Sequence, residues 1–339
     1  MSIPDGGHGP TWAGQRRGQH RLSAGSPPRP IIVDCDTGVD DALALLYLCG
    51  DPAADLVAVG TVDGNVPAPL GAENTLRVLD VAGRSEVPVA VGCRRPLVDA
   101  PRYATTFHGS DGLGDTHMPS SQRTLVPEGA VDQLLRLARC RPGELTLLAI
   151  GPLTNVAVAL ILDPELPELL GEVVVMGGAI MVPGNETPWA EFNIAHDPEA
   201  AEIVLAARWR RLTLVPLDAT SGAVLRGPAV DRLRGADVAT CRLAAEITRQ
   251  RLTADGSFEL CDPLAAGVAL DPGLVDCLEA PVRVELHGLH TRAATIADLR
   301  SAAVPEPERP SVEIAMSVDA DRFMERFLAR LGVPGEVGG

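Results

Sequence analysis

Residues 31–48 read IIVDCDTGVDDALALLYL. The run IIVDCD (31–36) has the length and Ile/Val bias of a strand buried on both faces. DALALLYL is apolar enough for the helix that follows it. A buried strand leading through a short polar turn into a helix opens a βα unit, and the pattern recurs downstream. The further runs are DLVAVGTV (55–62), VPVAVG (87–92), LTLLAIG (145–151), EVVVMGG (172–178) and RLTLVPL (211–217). Between them lie helical segments. EGAVDQLLRLARC carries Val131, Leu134, Leu135 and Ala138 at i, i+3, i+4, i+7 spacing, and DPEAAEIVLAA (197–207) is another. This alternation predicts an α/β fold, a single doubly wound, mostly parallel sheet with helices on both faces, over residues 30–335. SVEIAMSV (311–318) reads as a late strand. DADRFMERFLARLG (319–332) reads as a closing helix with Phe323, Phe327 and Leu331 on one face.

Other segments read as connections. Residues 218–260 look helical and loop-like, and the polar RQRLTADGSFEL (249–260) is expected to be a mobile loop near the site. PEPERP (305–310) is expected to be a loop inside the domain. Residues 1–29, rich in Gly, Pro, Arg and Ser, are expected to form a disordered tail. Arg16 and Arg17 are followed by no apolar stretch, so an export signal is not expected.

The 339 residues are 46% hydrophobic, and all 29 basic residues are arginine. The missing lysine excludes a phosphate-binding P-loop, protein-kinase catalysis and Schiff-base chemistry. A net charge of −16 argues against nucleic acid and anionic membranes as partners. No run of about 18 apolar residues is present, so no membrane span is expected. Seven scattered cysteines without a CxxC pair fit a reduced, cytoplasmic chain.

Asp34, Asp36, Asp40 and Asp41 fill four of eight positions at the first strand end. Helix capping accounts for one or two of them. Four carboxylates repel unless something neutralises them. With no lysine in the chain, a bound cation is the economical solution, and oxygen ligands favour Ca²⁺ or Mg²⁺ over zinc. The aspartates also partly resemble the nucleophile motif of haloacid-dehalogenase-like phosphatases. That family usually needs a later lysine, for which arginine would have to substitute here.

In doubly wound sheets ligands bind beyond the carboxyl ends of the strands. Four further segments fall there: VDGN (62–65), AIGPLTN (149–155), MGGA (176–179) with PGNETPWAEFNIAHDPEAA (183–201), and CDPLAAGVAL (261–270). Taken singly, each reads as a turn or a cap. Together, Asn65, Asn185, Glu191 and Asn193 offer amides and a carboxylate suited to a polyhydroxylated ligand.

DCDTGVDDALALL, VDGN, FHGSDGLGD, AIGPLTNVA, VVVMGGAI, GNETPWAEFNIAHDPEAA and DPLAAGVAL, in this order, resemble the inosine-uridine-preferring nucleoside hydrolases over about residues 30–335. The resemblance implies Ca²⁺-dependent hydrolysis of the N-glycosidic bond of ribonucleosides to ribose and free base. It implies Asp36, Asp41, Asp262 and the Ile150 carbonyl as metal ligands. Asp36 would be the general base toward an activated water. Asp40, Asn65, Asn185, Glu191 and Asn193 would contact ribose, with Met176 and His108 lining the site. Homodimers or homotetramers are common among such relatives.

One position departs from the pattern. Many relatives carry a histidine before the DPLA aspartate as acid toward the leaving base. Here it is Cys261, as in a cysteine-bearing branch of the family. Either the thiol donates a proton or it fills space, in which case His108 or stacking on Trp189 remains to help the base depart. A catalytically weak nucleoside- or ribose-binding protein, and an N-glycosidase for a modified riboside, are the alternative readings.

Overall fold

The computed structural model describes residues 27–300 and 309–334. Residues 1–26 of the expected tail and 305–308 of PEPERP lie outside that range. Arg29, assigned to the tail from sequence, is the first residue of strand β1 (Arg29–Cys35). The remaining strands are β2 (Ala54–Thr61), β3 (Val89–Val91), β4 (Thr146–Ala149), β5 (Glu172–Met176), β6 (Leu212–Val215), β7 (Val224–Arg226), β8 (Ser257–Glu259), β9 (Val275–Val284), β10 (Thr295–Ala297) and β11 (Ser311–Val318).

Nine of them form one sheet in the order β10-β9-β11-β6-β5-β4-β1-β2-β3. The seven from β11 to β3 run parallel. β9 and β10 add an antiparallel edge. β7 and β8 pair antiparallel as a separate ribbon.

Alternate residues of the parallel strands feed two cores. Ile31, Val33, Leu148 and Val174 pack on one face, and Ile32, Leu147, Val173 and Val175 on the other. That explains why the strands read as unbroken apolar runs. The helix Val39–Gly50 is apolar nearly all round because it is covered nearly all round: it packs against the helices Cys261–Leu270, Ala68–Val81 and Ala320–Leu331. Phe323, Phe327 and Leu331 of the closing helix are buried, as their spacing predicts. Each such side chain contributes about 1.5–3 kcal/mol by leaving water.

One expectation is corrected. Residues 249–259 form the helix Arg249–Asp255, a left-handed Gly256 (φ +72°) and β8 instead of a loop. The stretch is polar because the helix faces solvent.

Chain order fixes where a ligand can enter. β2 and β3 lie on one side of β1, and β4, β5 and β6 on the other. The connections leaving β1 and β4 therefore diverge, opening a crevice at their carboxyl ends.

Candidate active site

Asp36 directly follows β1, at the edge of that crevice. Its Oδ2 accepts the backbone N–H of Asn65 at 2.5 Å, while its Oδ1 is buried with no hydrogen-bond partner. Two glycines make room for it. A Cβ on Gly64 would lie 2.0 Å from Asp36 Oδ2, and one on Gly151 would lie 2.9 Å from Oδ1.

Asp41 does part of what the capping interpretation requires. Its Oδ2 accepts the Gly38 N–H at 2.9 Å and the Asn65 side-chain amide at 3.1 Å, and its Oδ1 accepts the Asp36 N–H at 3.1 Å. Asp40 is not explained this way, since its Oδ1 is buried and unpartnered. Asp262 sits in the first turn of the helix Cys261–Leu270. Packing of that helix on Val39–Gly50 brings two helix N-termini together. One carboxylate oxygen each from Asp40, Asp41 and Asp262 then lies within 4.8 Å of the others.

The electrostatics of this cluster call for a cation. Burial, then the charge of Asp41, pushes Asp40 up to about 7 and Asp36 well above the ordinary carboxylate range. Asp262 is raised well above it by burial and by Asp40. Positive charge placed among them reverses that penalty. The orphaned oxygens of Asp36 and Asp40 and an all-oxygen donor set fit a hard divalent ion.

On the other side of the crevice, Asn193 donates from Nδ2 to the carbonyls of Ile150 at 2.9 Å and Met176 at 3.3 Å. The Ile150 carbonyl keeps a second lone pair. Glu191 is the N-cap of the helix Phe192–His196. Its carboxylate accepts the N–H groups of Gly178, Asn193 and Ile194, yet burial still raises it to about 7. Asn65, Met176, Glu191 and Asn193 are all buried. Asn185 and Trp189 are exposed, Trp189 by 57%. Asn185 Oδ1 accepts the Phe192 N–H at 2.9 Å, which ties its loop to the same helix.

His108 is buried next to Asp40, its Nδ1 3.9 Å from Asp40 Oδ1. Its Nδ1 accepts the Val39 N–H at 3.1 Å, leaving Nε2–H as the free donor. Burial and the nearby Arg251 lower it to about 3, so the ring is neutral near pH 7. The Cys261 thiol donates to Thr220 Oγ1 at 3.4 Å, and burial, then Asp40, pushes it well above its ordinary value. A thiol so placed is a poor acid, and the space-filling interpretation fits it better.

The structure adds partners that sequence reasoning missed. Asn155 donates to Asp34 Oδ1 at 2.7 Å, which binds GPLTN to β1. Arg251 lies 4.3 Å over the ring of Phe107, which packs against His108 and Phe258. Nothing in the spacing of these residues announced the contacts. Asn155 and Phe107 stood inside noted motifs, GPLTN and FHGSDGLGD, but no partner was assigned to either.

Residues 31–325 match the family described as inosine-uridine preferring nucleoside hydrolase. The chain belongs to that family. It is 37% identical over 320 residues to the inosine-uridine preferring nucleoside hydrolase of Crithidia fasciculata, covering 91% of this chain and 99% of that protein. It is 33% identical to a probable uridine nucleosidase of Arabidopsis thaliana, over 89% of this chain and 97% of the relative. A solved plant nucleoside hydrolase superposes with a TM-score of 0.85 at 32% identity, covering 91% of this chain and all of that one. The purine-preferring ribonucleoside hydrolase of Gardnerella vaginalis gives 0.83 at 33% identity, over 89% of this chain and 98% of that one. The chain is thus a hydrolase of N-glycosyl bonds on a mostly parallel α/β sheet.

Proposed function

We propose that the chain hydrolyses ribonucleosides to ribose and free base with Ca²⁺ held by Asp36, Asp41, Asp262 and the Ile150 carbonyl. The observation that carries this reading is the convergence of Asp40, Asp41 and Asp262 beside the unpartnered Oδ1 of Asp36. When bound, such an ion supplies Lewis acidity toward water and sugar hydroxyls.

The remaining work falls to the chain's own groups. Asp36 takes the proton of the attacking water at Oδ1. Asp40, Asn65, Asn185, Glu191 and Asn193 hold the ribose so that its anomeric carbon faces that water. The carboxylates stabilise the oxocarbenium character that develops as the base leaves. Met176 lines the sugar pocket. Cys261 packs beside the site, and His108 Nε2–H is the donor toward the departing base. Trp189, exposed at the rim, is available to stack on it.

The supporting facts extend to setting. None of the seven cysteines is in a disulfide, which suits the cytoplasm, and the substrate suits purine and pyrimidine salvage. Among the described residues no helix is long and apolar enough to cross a membrane. The neighbouring Ile161 and Leu162 are exposed by 60% and 62%, and suit a contact within a homodimer or homotetramer.

The test is product analysis on a panel of purine and pyrimidine ribonucleosides. Ribose and free base in equal amounts are expected. Nucleoside-dependent thermal stabilisation without products would favour the binding protein, and release of phosphate from phosphomonoesters would favour the phosphatase.

A further inference from the structure

Asp63 and His196 are buried beside the site, and the chemistry above does not use them. Their side chains are 2% and 0% exposed, with Asp63 Oδ2 facing His196 Nε2 at 3.5 Å. Neither ring nitrogen of His196 has a hydrogen-bond partner. Asp63 Oδ1 accepts the hydroxyl of Tyr103 at 3.4 Å.

The pair bridges segments that are far apart in sequence. Asp63 belongs to VDGN, two residues before Asn65, whose backbone and side chain bind Asp36 and Asp41. His196 lies three residues after Asn193 on one short helix, hence on the same face. Tyr103 precedes Ala104, whose N–H donates to the Asn65 carbonyl at 3.1 Å, and the helix Thr105–His108 follows. A buried carboxylate facing a buried imidazole adds little stability, because desolvation offsets the attraction.

We propose that Asp63 and His196 are positioning residues that clamp the Asn65 loop against the Asn193 helix and so set the width of the sugar subsite. Tyr103 steadies the clamp. The inference rests on the proposed ribonucleoside reaction.

The test is a double-mutant cycle on the full-length protein, measuring kcat and KM for inosine and 2′-deoxyinosine. Asp63→Asn and His196→Phe should each lower kcat/KM for inosine by about 10–100-fold, as loss of outer partners does at such sites. The double variant should lose no more than the worse single one, because the two act as a unit. The preference for ribose over 2′-deoxyribose should shrink in all three. Additive losses, or wild-type kcat/KM with unchanged sugar preference, would overturn the proposal. Should the buried variants not fold, Tyr103→Phe removes only a hydroxyl from a half-exposed ring. It should weaken the sugar preference, and no change would again overturn the proposal. Ribose binding by calorimetry separates the two readings. A wild type that releases no ribose refutes the proposed function. The clamp survives that result only if ribose binds the wild type and binds Asp63→Asn about tenfold more weakly.

Discussion

Asp36 is the proposed general base and Cys261 the alternative proton donor, and the structure treats them differently. Asp36 has a buried oxygen with no partner, the state expected of a group that waits for a proton or a cation. Asp36→Asn should lower kcat by about 10²–10⁴-fold, the usual worth of a positioned general base. A rate near wild type in that variant would refute the role. The Cys261 thiol is engaged with Thr220, and burial, then Asp40, pushes its pKa up. Cys261→Ala should leave kcat near wild type and cost about 1 kcal/mol of stability for the small void. A collapse in kcat would make the thiol the acid after all. The aspartates and Asn65 were legible in the sequence because they cluster at strand ends. The Asp34–Asn155 bond and the Arg251–Phe107 stack were not, since each joins residues more than a hundred positions apart.

At the scale of elements, the site depends on loops that permit close approach. Gly64→Ala would place a methyl 2.0 Å from Asp36 Oδ2, so the carboxylate must move. A shift of about 1 Å at a reacting group costs about 10²-fold in rate, and that loss in kcat/KM is expected here. An unimpaired Gly64→Ala enzyme would mean that the position of Asp36 is not critical. The parallel strands were legible because burial on both faces makes them continuous apolar runs. β9, VDCLEAPVRV, was not, because only one of its faces is well buried and Pro281 interrupts it. β7, β8 and β10 are three residues each, too short for a period to show. The helix Arg249–Asp255 reads as a loop in the sequence because it is short, polar and stopped by Gly256.

At the scale of the molecule, many of the 45 acidic residues lie at the surface, but a few are buried without lysine and raised toward neutral pH. Asp34 and Asp40 move from 3.8 to about 7, and Glu191 from 4.5 to about 7. A carboxyl whose folded pKa lies above its unfolded one binds more protons when folded. Its contribution is full below the unfolded pKa and is lost as pH rises through the folded one. The metal-free protein should therefore lose stability as pH rises from about 4 to 7. Ca²⁺ should flatten that fall by neutralising the Asp36, Asp40, Asp41 and Asp262 cluster. Thermal unfolding against pH, with and without Ca²⁺, checks this, and a metal-free protein that grows more stable over that range would contradict it. The central claim is that these carboxylates work through a divalent cation. Its most direct test is ribose release from inosine and uridine by stripped protein, followed as Ca²⁺ is titrated back. The account predicts no turnover without metal and saturable recovery with it. Full turnover after complete metal removal would contradict it.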